Sequence, residues 1–158
     1  VEDSTHPVVM ALLPPEYLKM GVVPVGRLDK DTEGLLLLTN DGVWGHSIIN
    51  GHKHLPKVDY VEFEGKLSEE GIQRIKEGIV LGDGTQCKPA LIKLLSDQSA
   101  TITIEEGKYH QVKRTIGAAG GTVSYLKRLT IGHVDLNGIE EVGSVMDLTI
   151  DDVEGFKK

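Results

Sequence analysis

The feature that most constrains the fold is a short apolar run, Gly-Leu-Leu-Leu-Leu-Thr, at residues 34–39. A membrane-spanning helix needs about 20 apolar residues, so this run is too short to cross a bilayer. Asn40-Asp41-Gly42 follows it as a turn, and a short apolar run bounded by turn residues is typical of a buried strand. Asp41 is also a suitable cap for a helix, which we predict over residues 42–49.

Alternation between polar and apolar side chains predicts further strands, because successive residues of a strand point to opposite faces. In residues 59–66 this alternation places Tyr60, Glu62 and Glu64 on one face and Val61 on the other. With the apolar run, the predicted strands cover residues 34–39, 59–66, 88–95, 100–105, 122–131 and 144–150.

Two helices carry clear start or stop signals. Ser68 is a good N-cap, and the acidic residues Glu69 and Glu70 suit the positive end of a helix dipole. A second helix shows an apolar stripe, which Gly120-Gly121 terminates, formed by Tyr109, Val112, Ile116 and Ala119. In a chain of 158 residues, these elements predict one α+β domain, a mostly antiparallel sheet flanked by a few helices.

The charge distribution is uneven. A net charge of −7 argues against general affinity for nucleic acid, whose phosphates favour basic surfaces. However, the stretch from Gly107 to Arg128 has five Lys or Arg residues and no acidic residue, so a local RNA-binding surface is possible. The single cysteine, Cys87, can form neither an internal disulfide nor a zinc cluster, and we expect a cytoplasmic protein.

The acidic residues before the apolar run allow two interpretations. Asp29, Asp31, Glu33 and Gly34 match the first, third, fifth and sixth positions of an EF-hand calcium loop, but Asn40 replaces the bidentate glutamate required at the twelfth. An EF-hand also needs a helix on each side, which the sequence does not favour.

The second interpretation makes Asp29 a catalytic carboxylate. In extended backbone Arg27 lies on the same side as Asp29, where its guanidinium would hold the carboxylate ionised. Taken alone, this triplet favours a solvated charged loop over a catalytic carboxylate.

Longer motifs favour the catalytic interpretation of Asp29 over the charged loop. Residues 26–42 read Gly-Arg-Leu-Asp-Lys-Asp-Thr-Glu-Gly-Leu-Leu-Leu-Leu-Thr-Asn-Asp-Gly, residues 105–114 read Glu-Glu-Gly-Lys-Tyr-His-Gln-Val-Lys-Arg, and residues 126–128 read Leu-Lys-Arg. With these motifs the chain resembles the family of ribosomal RNA pseudouridine synthases typified by the small-subunit enzyme A. The resemblance covers roughly residues 7–150, and it implies that residues 1–158 form a catalytic domain with the pseudouridine synthase fold.

The resemblance also implies the catalytic residues. Asp29 is the expected essential aspartate, which either adds to C1′ of the target ribose or removes a proton from C2′, and no metal or organic cofactor takes part. Lys113 is expected to pair with Asp29. Tyr60 is expected to stack on the extruded uracil and to exchange the C5 proton, although Lys57 stands one residue too early for the family's Lys-x-Tyr motif.

The implied partner is ribosomal RNA, with the small-subunit RNA favoured over the large-subunit RNA, and the default state is a monomer. Expected substrate contacts come from Arg27, His110, Gln111, Arg114, Lys127 and Arg128. Two further family parts, an S4-type RNA-binding domain and a first strand with a Lys-Pro-x-Gly motif, are expected upstream of Val1. The alternative function is a non-catalytic RNA-binding module of the same fold.

Overall fold

A computed structural model describes residues 12–25, 28, 32–50, 55–105, 110–141 and 143–155. The strands are β1 (Val23–Val25), β2 (Glu33–Gly34), β3 (Leu37–Thr39), β4 (Lys57–Gly65), β5 (Leu91–Ser96), β6 (Ser99–Ile104) and β7 (Gly121–Ile131). The helices are α1 (Pro15–Lys19), α2 (Gly42–Asn50), α3 (Glu69–Glu77), α4 (Gln111–Ala118) and α5 (Ile150–Gly155). Within these ranges, none of the helices is long and apolar enough to cross a membrane.

The main sheet has five strands in the order β2-β7-β4-β6-β5. Its central pairs are antiparallel, and the short β2 joins β7 in parallel. Strands β1 and β3 form a separate antiparallel pair. The predicted α+β class, with a mostly antiparallel sheet and a few helices, is confirmed.

The main sheet has two unlike faces. On one, which we call the helix-covered face, Val61 and Phe63 of β4 pack with Ile75 of α3 and Ile116 of α4 in one buried cluster. The other, which we call the polar face, carries Tyr60, Glu62 and their neighbours, because side chains alternate along a strand. Any residue of β4 can therefore be assigned to a face by its position in the alternation.

Two predicted helix starts are confirmed by their caps. The Ser68 hydroxyl accepts a hydrogen bond from the Gly71 amide at 2.9 Å, and α3 begins at the next residue. The Asp41 carboxylate accepts one from the Trp44 amide at 3.0 Å, at the start of α2. In each case a side-chain oxygen bonds to an amide that the first turn leaves without a helical partner.

Two strand predictions were wrong. Residues 34–39 are not one strand: the chain leaves the main sheet after Gly34 and enters the β1–β3 pair at Leu37. Residues 144–150 are not a strand either. Thr149 and Asp152 bond reciprocally to each other's backbone amides at 3.0 Å, which starts α5 at Ile150.

Candidate active site

The segment with the predicted catalytic aspartate connects β1 to β2. Arg27 and Asp29, like Asp31, lie outside the residues that the structure describes. Their flanks are described: Val25 is buried at the end of β1, and Glu33–Gly34 forms β2. Strand β1 precedes the predicted calcium loop at residues 29–40, and strands β2 and β3 lie within it. This arrangement is incompatible with an EF-hand, whose loop joins two helices.

The carboxyl-terminal end of this segment meets the sheet at Arg128. Gly34 is the register partner of Arg128, and the Leu35 amide donates a hydrogen bond to the Arg128 carbonyl at 2.9 Å. A Cβ atom on Gly34 would lie 2.1 Å from the Arg128 carbonyl oxygen, and the φ of Gly34 is +111°. Only glycine permits this close approach without displacing backbone atoms.

Helix α4 carries the second predicted motif. It follows His110, which has left-handed backbone angles (φ 45°, ψ 39°) that are costly for a residue with a side chain. Gln111 is buried and Lys113 is half-buried. Val112 belongs to the same buried cluster as Leu126 of β7, so the first turn of α4 packs on the helix-covered face of the sheet.

Arg114, predicted to meet RNA phosphate, pairs with a carboxylate in the structure. Its Nη2 lies 2.6 Å from Oδ2 of Asp83, in the loop after α3. Hydrogen bonds from Thr85 and the Arg114 guanidinium lower the pKa of Asp83 to about 2. RNA would have to compete with Asp83 for this guanidinium.

Arg128 also has a protein partner. Its Nε lies 2.9 Å from Oδ1 of Asp59, and its Nη2 lies 3.3 Å from Oδ2 of the same carboxylate. The Asp59 side chain is 1% exposed and the Arg128 side chain 15% exposed. The geometry therefore directs this guanidinium into the protein instead of towards RNA.

Lys57 lies near this pair, on the same face of β4 as Asp59. Burial and the nearby Arg128 charge lower the pKa of Lys57, while Asp59 partly counteracts the effect. The helix-covered face thus holds two cations and one carboxylate close to the point where β2 joins the sheet.

Tyr60 lies on the polar face. Its hydroxyl donates to Glu62 at 2.6 Å, which raises the pKa of the phenol. Its ring meets that of Tyr125 edge to face, with centroids 6.0 Å apart. Lys127 is its register partner on β7 and shares this face.

The sheet therefore separates Tyr60 and Lys127 from the face on which α4 packs. This separation weighs against one catalytic site that contains both Tyr60 and Lys113, as their predicted roles would require. Next to Tyr60, Glu62 and Glu64 line a recess of about 360 Å³, and their carboxylates would repel an RNA phosphate.

Sequence reasoning missed Asp59, although the strand pattern contained the signal. Period-two alternation places Asp59 with Val61 and Phe63, on the apolar face, and a charged residue there needs a buried partner. The Lys-x-Tyr spacing, counted from Lys57, also falls on Asp59 and not on Tyr60.

With this geometry established, comparison with known proteins gives the class. The profile of the family described as RNA pseudouridylate synthase matches residues 2–118. The chain belongs to this family.

Several individual members of this family are similar to the chain over nearly its whole length. An uncharacterised RNA pseudouridine synthase of Bacillus subtilis (strain 168) is 42% identical over 152 residues. That alignment covers 94% of this chain and 64% of the relative. The ribosomal small subunit pseudouridine synthase A of Haemophilus influenzae is 41% identical, with 99% of this chain and 68% of the relative covered. The enzyme of that name from Escherichia coli (strain K12) is 33% identical, with 96% and 66% covered.

A solved structure supports the same fold. A crystal structure described as pseudouridylate synthase superposes with a TM-score of 0.89 and 36% identity, covering 97% of this chain and 66% of that one. This chain therefore spans about two thirds of the length of these four proteins.

Proposed function

We propose that this chain carries the active site of a pseudouridine synthase that modifies ribosomal RNA, with the small-subunit RNA as substrate. The observation that carries the proposal is the similarity to enzymes named for the small ribosomal subunit, which extends over 96% or more of the chain. The family match over residues 2–118 includes both Asp29 and Lys113.

The proposed reaction is an isomerisation, so no atom is gained or lost overall. The N1–C1′ bond of the target uridine breaks and a C5–C1′ bond forms, while C5 releases a proton and N1 ends with one. Asp29 supplies the carboxylate that starts the reaction, either by adding to C1′ or by removing the C2′ proton. Because the target base must leave its stack to reach a side chain, we expect the nucleotide to be flipped into the site.

Lys113 is the proposed cationic partner of Asp29. The first turn of α4, which bears it, packs against the helix-covered face near Leu126. Lys57 and Arg128 lie on that face as well, and with the Asp59 carboxylate subtracted they leave a formal local charge of +1 (two cations less one anion), although the whole chain carries −7. A positive environment favours both an ionised carboxylate and the approach of a phosphate backbone.

Proposed RNA contacts come from Arg27, His110 and Arg114, and Gln111 is left out because it is buried. Arg128 is left out because its guanidinium is bound to Asp59. Lys127 and Tyr60 would meet RNA only if the substrate also reached the polar face. Because the proposed contacts include few cations and the net charge is −7, we expect this chain to bind RNA weakly, with an affinity that changes only modestly as salt rises.

The direct test measures release of the C5 proton. The natural full-length protein is incubated with small-subunit ribosomal RNA carrying tritium at C5 of its uridines, and tritium in water is counted. We expect release by the wild type and none above background with Asp29→Asn. Asp97→Asn, which changes an exposed carboxylate in the β5–β6 turn, is the matched control and should retain wild-type release.

The alternative, a non-catalytic RNA-binding module, predicts a different result. It requires RNA binding by the wild type without tritium release. That result, or undiminished release by Asp29→Asn, would contradict the proposed function.

A further inference from the structure

The ion pair between Asp59 and Arg128 holds both side chains in one orientation. Two hydrogen bonds, of 2.9 and 3.3 Å, join the guanidinium to both carboxylate oxygens. A two-point contact of this kind restricts rotation of both side chains, which a single bond would not. Asp59 is among the most completely buried side chains described.

Burying such a pair is an inefficient way to stabilise a fold. The loss of hydration of two ions often offsets their attraction, and apolar residues of similar volume frequently stabilise as well or better. Lys57 adds a further cation at the same place, with its pKa lowered by burial. These charges therefore suggest a role other than stability.

The position of the Arg128 backbone, between strands β2 and β4, indicates what that role is. On one side it is the register partner of Asp59 in β4, and on the other of Gly34 in β2. The β4–β7 register shifts between Val58 and Asp59, so the backbone ladder is irregular where the side-chain pair forms.

Strand β2 is short, and the Tyr125 hydroxyl of β7 donates a hydrogen bond to its Glu33 carboxylate at 2.9 Å. The strand has two residues, and the Leu35 amide continues the contact by donating to the Arg128 carbonyl at 2.9 Å. The segment 26–32 ends at this strand, and its other end leaves β1 at the buried Val25. Fixing Arg128 therefore fixes one of the two ends of the segment.

We infer that Asp59 is a positioning residue: through its ion pair with Arg128, it holds β2 in place and so orients the segment that carries Asp29. The inference rests on the proposed function for its effect on catalysis. Its effect on the segment is independent of that function and can be measured without RNA.

The first experiment is hydrogen exchange of the natural full-length protein without RNA. We compare Asp59→Asn with Glu70→Gln, which neutralises the carboxylate of the exposed Arg74–Glu70 pair on α3. We expect Asp59→Asn to accelerate exchange of peptides spanning 26–36 by about tenfold or more, with β6 unchanged and no change in the control. Unchanged exchange in 26–36, or uniform acceleration throughout the domain, would overturn the inference.

The second experiment separates positioning from stability. In a tritium-release assay, Asp59→Asn should lower kcat about tenfold or more with KM within about twofold. The double variant Asp59→Leu with Arg128→Met should regain the wild-type melting temperature, since neither charge is left unpaired, yet keep the low kcat. If Asp59→Asn does not fold, the kcat of this double variant alone tests the inference.

Full recovery of kcat in the folded double variant would mean that the pair is merely structural, and it would overturn the inference. A wild-type protein that releases no tritium would instead overturn the proposed function. In that case the exchange data would still show whether Asp59 holds the segment.

Discussion

Replacing Gly34 with alanine tests how tightly β2 is held against β7. The φ of Gly34 is +111°, a backbone conformation that costs about 1–3 kcal/mol for a residue with a side chain. The new Cβ would also lie 2.1 Å from the Arg128 carbonyl oxygen and 2.5 Å from the Arg128 nitrogen. Both separations are well inside van der Waals contact, so one backbone must move.

Such a movement breaks the hydrogen bond from the Leu35 amide to Arg128, 2.9 Å long, which contributes about 1 kcal/mol. Backbone strain and the lost bond together predict that Gly34→Ala lowers the free energy of unfolding by about 3 kcal/mol. Urea denaturation measures this loss, and an unchanged m-value would show that the folded and unfolded states keep their compactness.

Gly21→Ala is the matched control. Gly21 also has a positive φ, +73°, but a Cβ there meets nothing within 4 Å. Its cost should be about 1 kcal/mol or less, because only backbone strain acts and the alanine reduces the entropy of the unfolded chain. If Gly34→Ala costs no more than Gly21→Ala, the close contact between β2 and β7 is not a real constraint.

Three further variants test other parts of the structure. Tyr60→Phe removes a hydroxyl that donates to Glu62 on the polar face, so tritium release should stay within about threefold of wild type; a loss of a hundredfold would return Tyr60 to the catalytic site. Burial and a hydrogen bond to Glu33 raise the pKa of Tyr125 to about 12, so its contribution to stability is complete below pH 10 and is lost as the pH rises through 12. Phenolate absorbance should show a titration near pH 12 that Tyr125→Phe removes. Ile116→Ala in α4 empties a fully buried site and should cost about 2–5 kcal/mol by urea denaturation; a smaller loss would mean that α4 is loosely packed.

The elements that could be predicted from sequence are those in which local signals and burial agree. Ser68 begins α3 because its hydroxyl replaces a missing backbone partner, and that requirement is visible in the sequence itself. Strand β6 is equally predictable, since its side chains alternate between the core on one side and a more exposed face on the other. These elements depend on neighbours in sequence, which a single chain reveals.

The predictions that failed depended on partners distant in sequence. The apolar run at 34–39 indicates burial but not that β2 and β3 belong to different sheets. The catalytic role of Tyr60 stays a prediction, which depends on the suitability of an aromatic ring for stacking on uracil and not on the face of β4 that Tyr60 occupies. The ion pair needs Arg128, 69 positions away, which no local pattern could identify.

The central claim is that Asp29 isomerises a uridine of small-subunit ribosomal RNA. The most direct measurement is carbodiimide mapping of pseudouridine in unmodified small-subunit and large-subunit transcripts, each incubated with wild-type protein or with Asp29→Asn. We predict a new pseudouridine at one position of the small-subunit transcript with the wild type, and none with Asp29→Asn, whose fold should be unchanged. The same pseudouridine appearing with Asp29→Asn would contradict the account.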